Sequence, residues 1–198
     1  VVEAEGDGLP GLVVDRYADT LVVQMATVGI KRREQSILDT LIEKLEPRSI
    51  VDRTSERSAK LEGFVPGHGV VWGDKTLAEL SFVERGLRFG IPLELGQKTG
   101  FYLDQRPLRE RIEALARGRR VLDTFTYVGS IAMAAARGGA TSVHAVDASA
   151  LALEVAAECA RANGLAGRIE FERADAHDVL AAAGRKGGHD LVVCDPPK

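Results

Sequence analysis

Strands alternating with helices across residues 96–198 predict an α/β domain built on a Rossmann-like, doubly wound parallel sheet. The strand-rich first half predicts a small α+β domain over residues 1–95. Three observations carry this. Short runs rich in Val, Ile and Leu recur between residues 120 and 194. Helical stretches, two of them alanine-rich, fill the gaps between these runs. Carboxylates close or follow the runs at Asp123, Asp147, Asp175 and Asp195. Right-handed crossovers gather such strand ends on one edge, where open α/β sheets bind ligands.

Taken in order, β-branched residues 12–16 and 21–25 read as two strands joined by a hairpin at residues 17–20. Ile37, Leu38, Leu41, Ile42 and Leu45 recur at helical spacing, which predicts a helix over 31–45 that Pro47 ends. Residues 49–53 read as a third strand. Residues 55–75, with Gly63, Pro66, Gly67, Gly69 and Gly73, read as irregular. A second hairpin is expected over 78–94, turning at Arg85-Gly86. Beyond residue 96, helices are expected over 107–116, 131–136, 150–163 and 179–183. Strands are expected over 120–123, 142–147, 168–171 and 190–194, and Gly164 is a suitable helix stop.

Composition narrows the function classes. The 198 residues carry 26 Lys and Arg against 29 Asp and Glu, a formal net charge of −3, and 45% are hydrophobic. That is an ordinary globular composition able to bury a core. Binding of nucleic acid by bulk charge is not indicated, although a local basic face remains open. Cys159 and Cys194 are too few for a disulfide framework, which points to a reducing, cytoplasmic setting. No apolar run approaches the roughly 18 residues of a membrane span, and no secretory leader pattern is present. His68, His144, His177 and His189 lack metal-ligand spacing, so no metal site is expected. Val1 at the start and a site motif at the end lead to the expectation of a fragment.

Five constellations carry chemistry. Val121-Leu122-Asp123-Thr124-Phe125-Thr126-Tyr127-Val128-Gly129 joins a strand to a helix. A dinucleotide loop needs glycines at GxGxxG spacing for backbone to approach a pyrophosphate. Here Phe125 and Tyr127 fill those places and only Gly129 is bare, so a ligand without phosphates is the better fit. An ordinary strand-to-helix turn is the alternative. Asp147 ends the second strand, 18 residues after Gly129. An acid there can bind a ribose diol, cap the next helix, or do both. Asp175 follows the third strand and can accept an exocyclic amine or cap a helix. Asp195-Pro196-Pro197-Lys198 follows the fourth strand. Prolines leave the preceding carbonyls outside any ladder, rigid and available to a nucleobase edge; a plain strand terminator is the alternative.

The fifth constellation is Gly96-Gln97-Lys98-Thr99-Gly100-Phe101-Tyr102-Leu103-Asp104-Gln105-Arg106. It reads as a site segment or an interdomain loop. Between residues 97 and 120, Lys98, Arg106, Arg109, Arg111, Arg117, Arg119 and Arg120 face only Asp104, Glu110 and Glu113. That is a candidate phosphate-facing patch or a solvated helix face.

Together these residues resemble the bacterial large-subunit rRNA cytosine-C5 methyltransferases that use S-adenosylmethionine. The segment from Lys98 to Arg106 is the most specific match, and Glu5 to Leu12 with Asp15-Arg16-Tyr17 resembles the start of the family's small strand-strand-helix-strand-strand domain. The resemblance implies an S-adenosylmethionine-dependent methyltransferase domain with Lys98, Thr99, Phe101 and Arg106 lining the cofactor pocket. It places Asp123, Phe125 and Gly129 against the methionine part, Asp147 on the ribose and Asp175 on the adenine amine. Asp195 and the Pro196 carbonyl would face the target base. It also implies a ribosomal RNA partner, and the oligomeric state stays open, a homodimer included. Ser130 departs from a frequent family glycine, and the family's N-terminal PUA-type RNA-binding domain is missing. The family's catalytic cysteine, which attacks carbon 6 as a thiolate, is expected beyond Lys198. Cys194 and Cys159 are expected to be packing residues, buried in a strand and on a helix.

Other readings stay open. A guanine-directed methyltransferase would need no cysteine. An adenine-amine enzyme would want an aromatic residue where Lys198 stands. A nicotinamide-dependent oxidoreductase lacks its GxGxxG pattern here, and a non-catalytic RNA-binding module would lack cofactor affinity.

Overall fold

The computed structural model describes residues 1–95 and 99–196, without the Lys186 side chain. The chain forms two compact units, Val1–Val83 with Pro92–Phe101 and Glu84–Ile91 with Tyr102–Lys198.

The first unit holds a five-stranded sheet of order β1-β2-β3-β4-β5, from β1 (Val2–Glu3), β2 (Leu12–Tyr17), β3 (Thr20–Met25), β4 (Ser49–Asp52) and β5 (Gly69–Gly73). Its inner strands read as β-branched runs because β3 and β4 are almost wholly buried. The crossover between these two parallel strands is α1 (Val28–Lys31) and α2 (Glu34–Leu45), where periodicity predicts one helix. Thr27 Oγ1 accepts the Ile30 N–H and starts a short turn ahead of the predicted span, and the helix is interrupted at Arg33, whose φ of −105° and ψ of 10° leave helical geometry. Leu38 and Leu41 complete a core with Leu12, Val14, Leu21, Val23, Met25, Ile30 and Ile50. Residues 55–75 are more ordered than their glycines suggest. They form α3 (Glu56–Glu62), capped by the Ser55 side chain, and then β5, antiparallel to β4. The α3 sequence has almost no apolar period, and β5 depends on a partner strand remote in sequence; local pattern reads neither.

A two-stranded sheet of β6 (Glu79–Glu84) and β7 (Leu87–Pro92) follows, turning at Arg85-Gly86 as expected, with φ of 49° and 81° there.

The second unit holds a parallel four-stranded sheet of order β10-β9-β8-β11, from β8 (Arg120–Thr124), β9 (Ser142–Asp147), β10 (Ile169–Arg173) and β11 (Leu191–Cys194). Its helices are α4 (Arg106–Leu115), α5 (Ser130–Arg137), α6 (Ala150–Ala162) and α7 (Ala176–Lys186). The expected Rossmann-like alternation is therefore present. α5 is buried almost all round, which accounts for its run of small residues. α4 approaches it so closely that a Cβ on Gly138 would stand 2.1 Å from the Glu113 carbonyl oxygen. α4 is anchored by Arg109, only 2% exposed, whose Nε and Nη2 donate to Glu84 at 2.6 and 2.7 Å.

The basic segment is corrected in part as a patch: Arg109 is withdrawn from it, whereas Arg106, Arg111, Arg117 and Arg120 remain exposed. Arg109 is buried on Glu84, Arg106 pairs with the same carboxylate at 3.0 Å, and Arg120 is bidentate to Asp190. Lys98 lies outside the described residues. Cys194 is the second correction. Cys159 is buried as expected, but Cys194 is exposed. β11 is an edge strand among the described residues, as β10 is at the other side, and its Val192 and Cys194 are exposed there; Val192 is 47% exposed.

Two outcomes follow from this packing. A thiol reagent modifies Cys194 of the folded chain rapidly and Cys159 only on unfolding, read by peptide mass mapping; equal rates at the two would contradict the burial pattern. Arg109→Leu takes away the buried partner of Glu84 and leaves that carboxylate with Arg106, whose side chain is 57% exposed; it costs about 3 kcal/mol of stability. Thermal or denaturant unfolding measures this, and adding Glu84→Leu recovers much of it.

Candidate functional site

The site is built on the carboxyl ends of the parallel strands. The registers Asp123↔Ala145, Thr124↔Val146 and Cys194↔Thr124 bring the ends of β8, β9 and β11 level. Asp123 is the penultimate residue of β8, Asp147 the last of β9, and Asp195 the first after β11. Thr124 Oγ1 donates to the Val193 carbonyl at 3.0 Å and ties β8 to β11 beside them.

The connection from β8 to α5 is forced into an unusual path. Phe125, Tyr127 and Gly129 all have positive φ, of 60°, 52° and 72°. For Phe and Tyr this is a sparsely populated conformation that persists only where surrounding bonds impose it. Those bonds are present. The Thr126 N–H donates to the Val146 carbonyl at 3.0 Å, and Gly129 N–H to the Thr126 carbonyl at 2.9 Å. The Tyr127 N–H donates to Asp147 Oδ2 at 2.8 Å. At Gly129 a side chain would also collide, since a Cβ would lie 3.0 Å from Ala156 Cβ and 3.3 Å from the Phe171 ring.

Each carboxylate has a distinct setting. Asp123 is 1% exposed; its Oδ2 accepts from Thr126 Oγ1 at 2.5 Å and the carboxylate also accepts the Ala132 N–H. Burial, reinforced by Asp147 and Asp195, outweighs those donors and pushes its pKa from 3.8 up to about 7. Asp147 takes Tyr127 N–H on one oxygen and Ser149 N–H on the other at 2.9 Å. Each oxygen has two acceptor positions, so the group keeps capacity for further donors while also shaping the loop. Asp175 caps α7 by accepting the His177 N–H at 2.7 Å and is exposed. The Ala174 N–H donates to the Asp147 carbonyl at 3.2 Å, which places the two acids on neighbouring strand ends. Phe125 stands edge-on to His177, 6.1 Å between centroids. Asp195 and Pro196 are exposed beside them, with Asp195 accepting from the Gln105 side-chain amide.

Of the residues singled out from sequence, Asp123, Phe125, Gly129, Asp147, Asp175 and Asp195 therefore gather on one sheet edge. Arg106 lies in the same unit on Glu84. Thr99 and Phe101 are buried in the first unit. Thr99 donates to Asp15 at 2.5 Å and lies 3.0 Å from the Tyr17 hydroxyl, and Phe101 packs edge-on to Phe82. Lys98 lies outside the described residues.

Sequence reasoning missed Thr126, the donor that holds Asp123, and it singled out the segment 96–106 without assigning a part to the turn of residues 102–105. There Tyr102 stands edge-on to Tyr127 at 5.7 Å, and burial with the charges of Asp195, Asp104 and Asp147 raises its pKa. The density of polar and aromatic residues at 96–106 was the only signal for it. The edge is acidic and suits a ligand that carries positive charge and hydroxyl or amine donors. Among the described residues no group of three His, Cys, Asp or Glu is arranged to hold a metal ion.

Comparison with known proteins gives these features a context. The model of a family described as S-adenosylmethionine-dependent methyltransferase matches residues 31–198. The chain is 36% identical over its full length to proteins named ribosomal RNA large subunit methyltransferase I from Shewanella denitrificans and Serratia proteamaculans. It spans 50% of each of those relatives. Among solved structures, a protein assigned as a methyltransferase and complexed with SAH aligns at TM-score 0.85 and 22% identity, over 99% of this chain and 50% of that one. A SAM-dependent methyltransferase from Agrobacterium tumefaciens aligns at 0.72 and 22%, over 95% and 57%. These two likenesses concern the fold.

The Asp123 carboxyl gives the site a pH signature. Its folded-state pKa lies above the unfolded value, so the folded protein holds an extra proton between about pH 4 and 7. Its stabilising contribution is complete below the unfolded pKa and is lost as pH rises through the folded one. Asp123→Asn removes this dependence. The melting temperature of the variant relative to the wild type rises as pH goes from about 4 to about 7, then levels off; a difference constant with pH would refute the assignment.

Proposed function

The chain belongs to the S-adenosylmethionine-dependent methyltransferase family, and from that premise we propose that its protein methylates large-subunit ribosomal RNA at carbon 5 of a cytosine. The observation that carries the rRNA reading is the 36% identity, across this whole chain, to proteins named for that substrate. The cytosine assignment rests on the motif resemblance from Lys98 to Arg106 and from Asp195 to Lys198.

The donor set fits S-adenosylmethionine. The cofactor has a ribose diol, an adenine amine and two cationic groups but no phosphate. Here the phosphate-poor turn after β8 meets an edge of carboxylates, and Asp147 retains acceptor positions. In this reading Asp147 holds the ribose hydroxyls and Asp175 accepts the adenine amine. Asp123, Phe125 and Gly129 flank the methionine part. When bound, the cofactor supplies an electrophilic methyl group on a sulfonium.

Asp195 and the Pro196 carbonyl are both acceptors, so together they suit the amine edge of an unstacked base. Pro196 fixes its own φ, and a proline at 197 restricts ψ of the residue before it, which together limit how far that carbonyl can swing. Carbon 5 of cytosine needs activation by a thiolate at carbon 6. We assign that role to neither Cys159, which is buried, nor Cys194, which belongs to the ladder of β11. The first unit serves to position RNA, and the free thiols fit a cytoplasmic setting.

Incubating the full-length protein with unmodified large-subunit rRNA and methyl-labelled cofactor, then mapping the label by nucleoside mass spectrometry, tests the reading. We expect 5-methylcytosine at a single position. Label on guanine would replace the proposal with the guanine-directed alternative, and RNA binding without methyl transfer would replace it with a binding module. Asp147→Ala weakens SAH binding on the order of ten- to a hundredfold, as expected for lost hydrogen bonds to a charged acceptor; calorimetry reads this directly.

A further inference from the structure

Asp195 is the least constrained of the strand-end carboxylates. It is exposed and is the first residue after β11. An exposed aspartate samples several rotamers, whereas a group that reads a base edge has to be presented in one. One side chain in the same unit restricts it. The Gln105 side-chain amide donates to Asp195 Oδ2.

Gln105 is itself firmly held. It ends the single 3-10 turn Leu103–Gln105, and its N–H donates to the Tyr102 carbonyl at 3.2 Å. That same carbonyl accepts Arg109 Nη1 at 2.9 Å. Arg109 is the buried guanidinium locked on Glu84. A continuous run of hydrogen bonds therefore leads from a buried ion pair to the Asp195 carboxylate. The chemistry of the contact also sets its direction. An ionised carboxylate only accepts, so the amide nitrogen must face it, and the Gln105 carbonyl oxygen is turned away. A neutral donor orients Asp195 without cancelling its charge, unlike an arginine or lysine in the same place.

We infer that Gln105 is a positioning residue that holds the Asp195 carboxylate in the orientation in which it meets the amine edge of the target base. This rests on the proposed role of Asp195 and adds to it a residue outside the strand-end motifs.

The test uses the full-length protein, unmodified large-subunit rRNA and three variants. Gln105→Leu removes the donor and lowers kcat about tenfold or more, as expected for one hydrogen bond to a charged acceptor. Its SAH affinity and melting temperature stay at wild-type values. Gln105→Glu keeps the shape but donates only when protonated. Two carboxyl groups in contact share a proton and release it at raised pH. The rate of this variant accordingly falls as pH rises, a limb that the wild type lacks. Tyr102, Asp104, Asp123 and Asp147, the other titratable groups acting around Asp195, are common to both proteins and drop out of the comparison.

Asp195→Asn separates the two levels of the proposal. If it is inactive while both Gln105 variants keep the wild-type rate and pH profile, the positioning role is overturned and the reading of Asp195 stands. If Asp195→Asn is as active as the wild type, the reading of Asp195 fails and the positioning role fails with it.

Discussion

The turn between β8 and α5 is the constraint on which the site depends. Three of its five residues, Phe125, Tyr127 and Gly129, take left-handed backbone conformations, and two of these carry bulky side chains. Such a path is unfavourable by itself. It is offset by one backbone hydrogen bond to the end of β9, one within the turn, and two side chains, Asp147 accepting the Tyr127 N–H and Thr126 donating to Asp123. The residues that shape the turn are therefore also the residues that line it. Loss of Asp147 or Asp123 disturbs the backbone path of the turn itself.

Charge is distributed in an unequal way that follows from the same architecture. Parallel strands finish together, so acids at equivalent strand ends become neighbours in space. Their repulsion is visible at Asp123, where Asp147 and Asp195 add to burial in disfavouring the charged form. A cationic ligand on this edge would relieve that cost. The arginines close in sequence are largely spent within the fold. Arg109 and Arg106 meet on Glu84, Arg120 takes Asp190, and Arg137 takes Glu113.

Local sequence was most informative where hydrophobic period and helix stops coincide. Residues 142–147 were legible as a strand because Val143, Ala145 and Val146 lie in the buried sheet and Gly139 precedes them. It was least informative where an element depends on distant partners. β5 is a strand because β4 accepts it, and α2 is separate from α1 because the backbone at Arg33 leaves helical geometry. Cys194 was read as buried because β-branched neighbours mark a strand, but a run of residues does not disclose whether its strand lies at the centre or the edge of a sheet.

The strand-end acids show where the two sources of information divide. Residue type and spacing by themselves determined the α/β class and the placing of Asp123, Asp147, Asp175 and Asp195 at or just after strand ends, because strand ends and carboxylates are local features. Only the tertiary structure decided that Asp123 is buried and Asp147 is a backbone acceptor. It alone decided that Arg109 serves the core and that Gln105 reaches Asp195 from 90 residues away. Solvent exclusion and hydrogen bonding depend on neighbours that chain order does not specify.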